Sequence, residues 1–568
     1  MIQNLQLRKK IKFLKNGAKT SDNLKKFDFN KNSRSLFAAW FVVFIFLAVC
    51  IIFPLFCVLI SVRVSDFVKV FSSVNFHQAL KNTFFECLAS SSVSVLIGYV
   101  FAYAVVKGNI PFKKFFSLVP LVHLMTPPFV GGLSFILLLG RQGFITHHLL
   151  GLNVSLYGFW GLLIAQSLCF FPMAYLICMQ SLLAINPNLE QAARSMGAGN
   201  LKIFFTITLP LSAPGILSSF LFVAVNVLSD FGNPLIVAGR FRVLAVEIYT
   251  QLTGWLNVGT SAVLGIVLII PSVILFVIQN KMLKNFMPKI SSIGGKNSFA
   301  LGINFDSKKY FGRFSSIIMT LFVVFISLCV AAQFIAITVG SFQKLWGVNT
   351  SFTIEHFFAV RHYSKGLVNS VLFASIAAVL STSFASVSSY IVHRTDSRLK
   401  NVIDVFSQIP SSIPGSLLGL AISIASNILN FHAAPVLIVI AMTVAFLPFS
   451  YRIISQSYAQ ISLSLDDSSR SLGANQMRTL FSVIAPIASN GIFSGLIYNF
   501  IRGVGTLSAV IFLVSFNTPL TSISIVNLAE QGDWGKSCAL AFILTLITFL
   551  ILGTGYGIIK IRERKIRL

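Results

Sequence analysis

The chain has 568 residues, 55% of them hydrophobic and only 11% charged, with a formal net charge of +28. A soluble domain is nearer a quarter charged, so the composition excludes an ordinary soluble enzyme or binding module and points to a protein that crosses a bilayer many times. The positive charge alone would suit a nucleic-acid binder, but its distribution along the chain argues against one.

The first 35 residues are basic, too long and too charged for a simple signal peptide. The apolar run that follows is too long for a cleavable h-region, so it reads as an uncleaved anchor. A spanning helix needs roughly 20 apolar residues. That criterion predicts about twelve spans, near 36–62, 82–107, 115–140, 154–184, 206–238, 258–280, 314–342, 368–393, 400–428, 433–460, 484–514 and 536–560. Polar inserts interrupt the pattern after the fourth and tenth spans, a basic linker (281–313) separates two sets of six, and a basic tail (561–568) ends the chain. The seven cysteines lie in or beside apolar runs without the close spacing of a metal or redox pair. They read as small packing residues.

Lysine and arginine set the orientation. With the N-terminus in the cytoplasm, the cytoplasmic segments and their edges hold 32 of the 44 basic residues. External loops hold 10, and Arg452 and Arg502 fall inside spans. The basic excess is thus a topology signal, both termini are expected in the cytoplasm, and nucleic acid is not an expected partner.

The two sets of six are related. A shift of 287 residues places Asn82 on Asn369, Tyr103 on Tyr390, Pro127 on Pro414 and Leu133 on Leu420. After a longer loop around "RQGFITHHLLGLN", a shift of 276 places Gly197 on Gly473, Pro210 on Pro486 and Gly215 on Gly491. An even number of spans keeps both halves in one orientation, so they are parallel repeats. The organisation read from the sequence is a first half over 36–280 and a second over 314–560.

The repeat includes the polar inserts. "EQAARSMGAGNLKIFFTITLP" (190–210) and "DDSSRSLGANQMRTLFSVIAP" (466–486) share small residues, a glycine and a proline at fixed distance. Small residues let a partner approach, glycine permits a tight turn, and proline is tolerated in the first turn of the next helix. An ordinary connecting helix would explain one copy; two at matching positions point to a partner-facing segment. The inserts resemble the EAA coupling motif of binding-protein-dependent ABC importer permeases. The resemblance implies coupling segments at about 185–205 and 461–481 that dock on a cytoplasmic ATPase. The Glu-Ala-Ala positions fall on Gln191, Ala192 and Ala193, with Gly197, and on Asp467, Ser468 and Ser469, with Gly473. Neither copy has the consensus glutamate in its usual place, although Glu190 stands beside the first.

Two permease halves in one polypeptide resemble the ferric-iron permeases, with thiamine permeases built alike. "LSDFGNPLIVAGRFRVLAVEIYTQL" (228–252) and "GTLSAVIFLVSFNTPLTSISIVNLAEQGDWGKSCAL" (505–540) are similar to iron(III) permease sequence. The resemblance implies an all-α polytopic protein of the bacterial inner membrane, two six-helix permease halves, two copies of a separate ATPase, and an extracytoplasmic binding protein. "SSIGGKNS" (291–298) is no P-loop, since Ile290 and Asn297 stand where glycine and Ser or Thr are needed. No cofactor, catalytic residue or metal ligand is expected. Thiamine, polyamine and phosphonate remain alternative cargoes. An ion-coupled secondary transporter would need mid-span carboxylates, and an intramembrane enzyme a catalytic cluster.

Ionisable residues inside spans are costly and mark functional candidates. Glu86 reads as a solvated residue near the outer end of its span, and His123 as a hydrogen-bonded core residue. Asp230 and Arg502 are the stronger candidates. Arg502 aligns with Asn226 and Thr506 with Asp230, and the four are expected to line the pathway, with an Asp230–Arg502 ion pair or gate.

Overall fold

The computed structural model describes residues 33–567 except 125, 128, 153–155, 294–312 and 396–399. Nearly all of the N-terminal basic segment 1–35 and most of the linker 281–313, including part of "SSIGGKNS", lie outside the described residues, as does Leu568 of the tail. The first half runs α1 (Ala38–Ser61), α2 (Val74–Val106), α3 (Lys113–Leu124), α4 (Phe129–Leu139), α5 (Phe159–Leu183), α6 (Pro187–Ser195), α7 (Asn200–Ser229), α8 (Gly232–Val237), α9 (Leu244–Tyr249) and α10 (Val258–Met282). The second half opens with α11 (Phe314–Phe342) and a hairpin, β1 (Gln343–Leu345) against β2 (Asn349–Phe352). It continues as α12 (Ser364–Arg394), α13 (Lys400–Ser412), α14 (Gly415–Ile428), α15 (Ala434–Ala459), α16 (Ser464–Ser471), α17 (Gln476–Ile487), α18 (Ser489–Val504), α19 (Thr521–Glu530) and α20 (Trp534–Gly555).

Among the described residues, 9 helices are long and apolar enough to cross a membrane, or up to 11 if the bent pairs α13–α14 (107°) and α17–α18 (81°) each count as one span. The expected third span, 115–140, is two short helices, α3 and α4, on either side of Pro127. Its repeat counterpart breaks at Pro414, the aligned residue. Proline offers no N–H and disfavours helix in the residue before it, so both breaks arise from one cause. The fifth and eleventh spans are shorter than hydropathy predicts. α7 stops at Ser229 and α18 at Val504. The apolar residues beyond them fold instead as the short α8 and as a chain of turns.

The halves interlock. α1 packs on α14 of the second half, and α11 packs on α4 of the first. The hairpin is tied to the first half as well, because Trp346 Nε1 donates to the Leu137 carbonyl at 3.0 Å. Within each half the same side chains tie the second span to the segment before the last. Asn82 donates to the Arg242 carbonyl (2.9 Å) and Asn369 to that of Pro519 (3.1 Å). Thr83 Oγ1 accepts from Leu244 N, and Ser370 Oγ from Thr521 N, both at 2.9 Å. In a bilayer an unsatisfied backbone group has no water to turn to, so these bonds let the chain break its helices there.

α7 and α18 approach the preceding spans closely at aligned glycines. A Cβ on Gly215 would lie 2.3 Å from Ser181 Cβ, and one on Gly491 would lie 2.1 Å from Ser457 Oγ. Small residues at such crossings let helix backbones meet. The Ser457 hydroxyl can rotate aside, whereas at Ser181 the Cβ itself is in the way, so Gly215→Ala should destabilise more than Gly491→Ala. Overpacking of this kind costs about 1–3 kcal/mol. Thermal unfolding of the full chain in detergent should show the larger drop for Gly215→Ala, and adding Ser181→Gly should recover most of it. Equal midpoints for both variants and the wild type would refute the close-approach argument.

Candidate functional site

Each insert folds as a short helix, a tight turn and a second short helix that runs into the next span. Asn186 caps α6, its Oδ1 accepting from Asn188 N at 3.0 Å, and Pro187 fits the first turn. Gly197 (φ +83°) and Gly473 (φ +82°) make the turns, a conformation open to glycine at no steric cost. The same two bonds close both turns. Gly197 N donates to Arg194 O and Ala198 N to Ala193 O; Gly473 N donates to Arg470 O and Ala474 N to Ser469 O. Each insert then forms one wide π-turn, Phe204–Thr208 and Leu480–Ile484.

Gln191 and Ala192, like Asp467 and Ser468, are exposed, while Ala193 and Ser469 are buried. Leu189 and Met196 stand exposed beside Ala192, and Leu465 and Leu472 beside Ser468. Met196 is 82% exposed and Leu472, its aligned partner, 89%. Each insert therefore presents a small-residue face with an apolar residue at either end. The sequence reading missed these four side chains, although their matching positions in the repeat were visible.

The acidic residues point the other way. Lys107, at the end of α2, holds Glu190 at 3.0 Å, and Thr208 Oγ1 donates to the same carboxylate oxygen at 3.0 Å. In the second half Arg394, the last residue of α12, holds Asp466 at 2.9 Å. Its other terminal nitrogen donates to the carbonyls of Tyr458 and Ile461. Lys107 and Arg394 align by the 287 shift, Glu190 and Asp466 by the 276 shift. The inward acids thus lie one residue before Gln191 and Asp467, the positions matched to the motif.

A cavity of about 200 Å³ lies between the halves, and Asn226, Asp230, Arg502 and Thr506 all line it. Asp230 follows the last residue of α7, so it is not one helical turn from Asn226 on a continuous helix. The expected Asp230–Arg502 ion pair is not formed among the described residues. Amides take the carboxylate instead: Gln166 Nε2 donates at 3.1 Å and Asn233 Nδ2 at 2.9 Å. Arg452, a residue not weighed for the pathway, also lines the cavity.

Glu86 is not solvated. It is 2% exposed, one of its oxygens has no hydrogen-bond partner, and Gln166 and Asp230 are its neighbours. Hydropathy placed it near a span end, but α2 begins eight residues earlier than expected and carries Glu86 inward. His123 is buried, with Nε2 at 2.9 Å from the Leu168 carbonyl, in accord with a core role.

The family model described as binding-protein-dependent transport system inner membrane component matches residues 94–287 and 386–568. The chain is 32% identical over 458 residues to ferric transport system permease protein FbpB of Actinobacillus pleuropneumoniae, covering 77% of this chain and 64% of that protein. It is 32% identical over 457 residues to a putative ferric transport system permease protein, FbpB 1, of Haemophilus influenzae, covering 75% and 68%. Over 174 residues, 29% of the chain, it is 32% identical to molybdenum transport system permease protein ModB of Escherichia coli, covering 76% of that protein.

The inward ion pairs make a test. Removing one partner of a buried pair leaves the other charge uncompensated, which costs about 3–5 kcal/mol. Arg394 and Asp466 side chains are 1% and 5% exposed, against 16% and 14% for Lys107 and Glu190. Arg394→Ala should therefore lower the thermal midpoint in detergent well beyond Lys107→Ala, which falls nearer the ~1 kcal/mol of partly solvated pairs. If the two variants melt together, burial does not set the strength of these contacts.

Proposed function

Because this chain belongs to the family of binding-protein-dependent transport system inner membrane components, we propose that it is the membrane permease of an ATP-driven importer whose cargo is ferric iron. The iron assignment rests on the likeness to two ferric transport permeases over three quarters of the chain. In this reading a separate cytoplasmic ATPase, in two copies, binds the two inserts, and an extracytoplasmic binding protein delivers cargo to the opposite face. Both termini then lie in the cytoplasm, and the spans cross the bacterial inner membrane surrounded by its lipids.

The observation that supports the coupling role is the matched pair of exposed faces. Gln191 and Ala192 lie between Leu189 and Met196, as Asp467 and Ser468 lie between Leu465 and Leu472. Small residues flanked by apolar anchors suit a groove on another protein, where buried anchors carry most of the binding energy. Two such faces match two copies of one partner. Drawing the inserts together would move α7 and α18, whose far ends line the cavity, and so alternate its access. We assign coupling to Gln191, Ala192, Ala193 and Gly197 and to Asp467, Ser468, Ser469 and Gly473, and the pathway to Asn226, Asp230, Arg502 and Thr506.

A bulky β-branched side chain is strained at positive φ. Gly197→Val with Gly473→Val should therefore abolish energised uptake while leaving the chain in the membrane. Radioactive iron uptake would be measured in cells lacking the chain, then with the wild type or the double variant restored. We expect uptake with the wild type and at least a tenfold fall with the variant. Equal iron uptake with and without the wild type, in cells where it is expressed and co-purifies with its ATPase, would reject iron as the cargo and keep the permease reading.

A further inference from the structure

The cavity wall is electrically lopsided. Both of its arginines come from the second half, Arg452 on α15 and Arg502 on α18. The aligned first-half positions hold Leu176 and Asn226. Asp230 is the one carboxylate among the described lining residues; its Oδ2 accepts from the side chains of Gln166 and Asn233, and its Oδ1 from the Asn233 backbone at 3.4 Å. Arg502 has no hydrogen bond or ion pair to any described residue. Arg452 makes one long bond, 3.4 Å to Asn280 Oδ1, and lies 5.9 Å from the Phe276 ring centre.

With Asp230 ionised, two guanidinium groups face one carboxylate, and the wall keeps one net positive charge. A charge inside the bilayer needs a partner; among the described residues Arg502 has no hydrogen bond or ion pair, and Arg452 has its long bond to Asn280 with the Asp404 carboxylate acting on it from outside the cavity lining. Guanidinium matches the paired oxygens of carboxylates and phosphates, which it binds in a fork. The Tyr498 and Thr506 hydroxyls add donors on the same wall. A bare multivalent cation would instead meet two like charges against one carboxylate. The space of about 200 Å³ admits a small oxyanion or compact complex, since a water occupies about 30 Å³ of the liquid.

We infer that the cavity takes its cargo as an anion, bound through oxygen atoms by Arg452 and Arg502. For an iron importer, a reading on which only the metal's identity rests here, the ferric ion would cross inside an oxyanion complex rather than bare. The same chemistry would accept a free oxyanion, and the two sources separate by experiment.

The first measurement is binding. The full chain in lipid nanodiscs would be melted with and without phosphate, citrate or molybdate. At least one should raise the midpoint, and Arg452→Gln with Arg502→Gln should remove that rise, while Arg452→Lys with Arg502→Lys, which folds with the charges kept, should retain part of it. No rise with any of the three, or an equal rise in the Gln variant, would overturn the inference. The second measurement is uptake by the complete transporter, with iron and its citrate carrying different labels. The anion inference predicts at least a tenfold loss for each Arg→Gln variant and both labels entering together. Loss confined to Asp230→Asn, or iron entering without the anion label, would overturn it. Arginine-dependent entry of phosphate or molybdate without iron would uphold the anion site and reject iron as cargo.

Discussion

Two ion pairs join what would otherwise be a hanging loop to the body of the protein. Lys107–Glu190 and Arg394–Asp466 fasten each insert to the end of the second span of its half. Thr208 also bonds Glu190, and Ser469 meets Thr479, but those contacts stay between each insert and the helix that follows it. The pairs tie each insert to its second span. That span packs along the fourth, and both pack along α7 or α18. The second pair is the stronger design. Arg394 also ties down the carbonyls that end the fourth span, which satisfies groups that a helix end leaves open.

The two halves agree where the frame needs packing and differ where the cavity needs chemistry. Hydrogen bonds from Asn82 and Asn369, the turns at Gly197 and Gly473, the breaks at Pro127 and Pro414 and the close approaches of Gly215 and Gly491 to an aligned serine recur in both halves. Around the cavity the repeat fails. Glu86 faces Phe373 in the alignment, Gln166 faces Met442, Asp230 faces Thr506, and Arg502 faces Asn226. The first half supplies the acids and amides and the second the guanidinium groups. A symmetric frame satisfies helix packing, whereas a cargo without twofold symmetry gains nothing from identical walls.

Much of this was legible in the chain. Long apolar runs give the spans, since the bilayer leaves the backbone little choice but helix, and aligned Gly and Pro give the repeat. What hydropathy cannot register is a break inside an apolar run. Phe231, Leu235 and Val237 are as apolar as a span, yet they follow Asp230 and surround Pro234, and the helix ends at Ser229. The ion pairs were hidden for a different reason. Lys107 and Arg394 read as topology signals, and their partners lie in another segment, 72 residues on for Asp466. A signal did exist: a base aligns with a base and an acid with an acid, under two different shifts. Glu86 was misjudged because its depth depends on where α2 starts, the least certain thing about any helix.

In the first half a single helix joins insert to cavity. α7 begins in the insert at Asn200 and ends beside Asp230, whereas α17 and α18 cover the same path from Gln476 to Val504 across an 81° bend. Each path has a soft point and a tight one. The soft point is the π-turn at Phe204–Thr208 or Leu480–Ile484, where the hydrogen-bond ladder widens, as it does at many functional sites. The tight point is Gly215 against Ser181, or Gly491 against Ser457. On the proposed coupling role, a path pinned near its middle and softened near one end would turn displacement at the insert into rotation at the far end. In the second half that far end carries Arg502, the guanidinium without a hydrogen bond or ion pair among the described residues. Its freedom from an ion pair is then mechanically useful, because a charge already locked to Asp230 would have to be released before the wall could move.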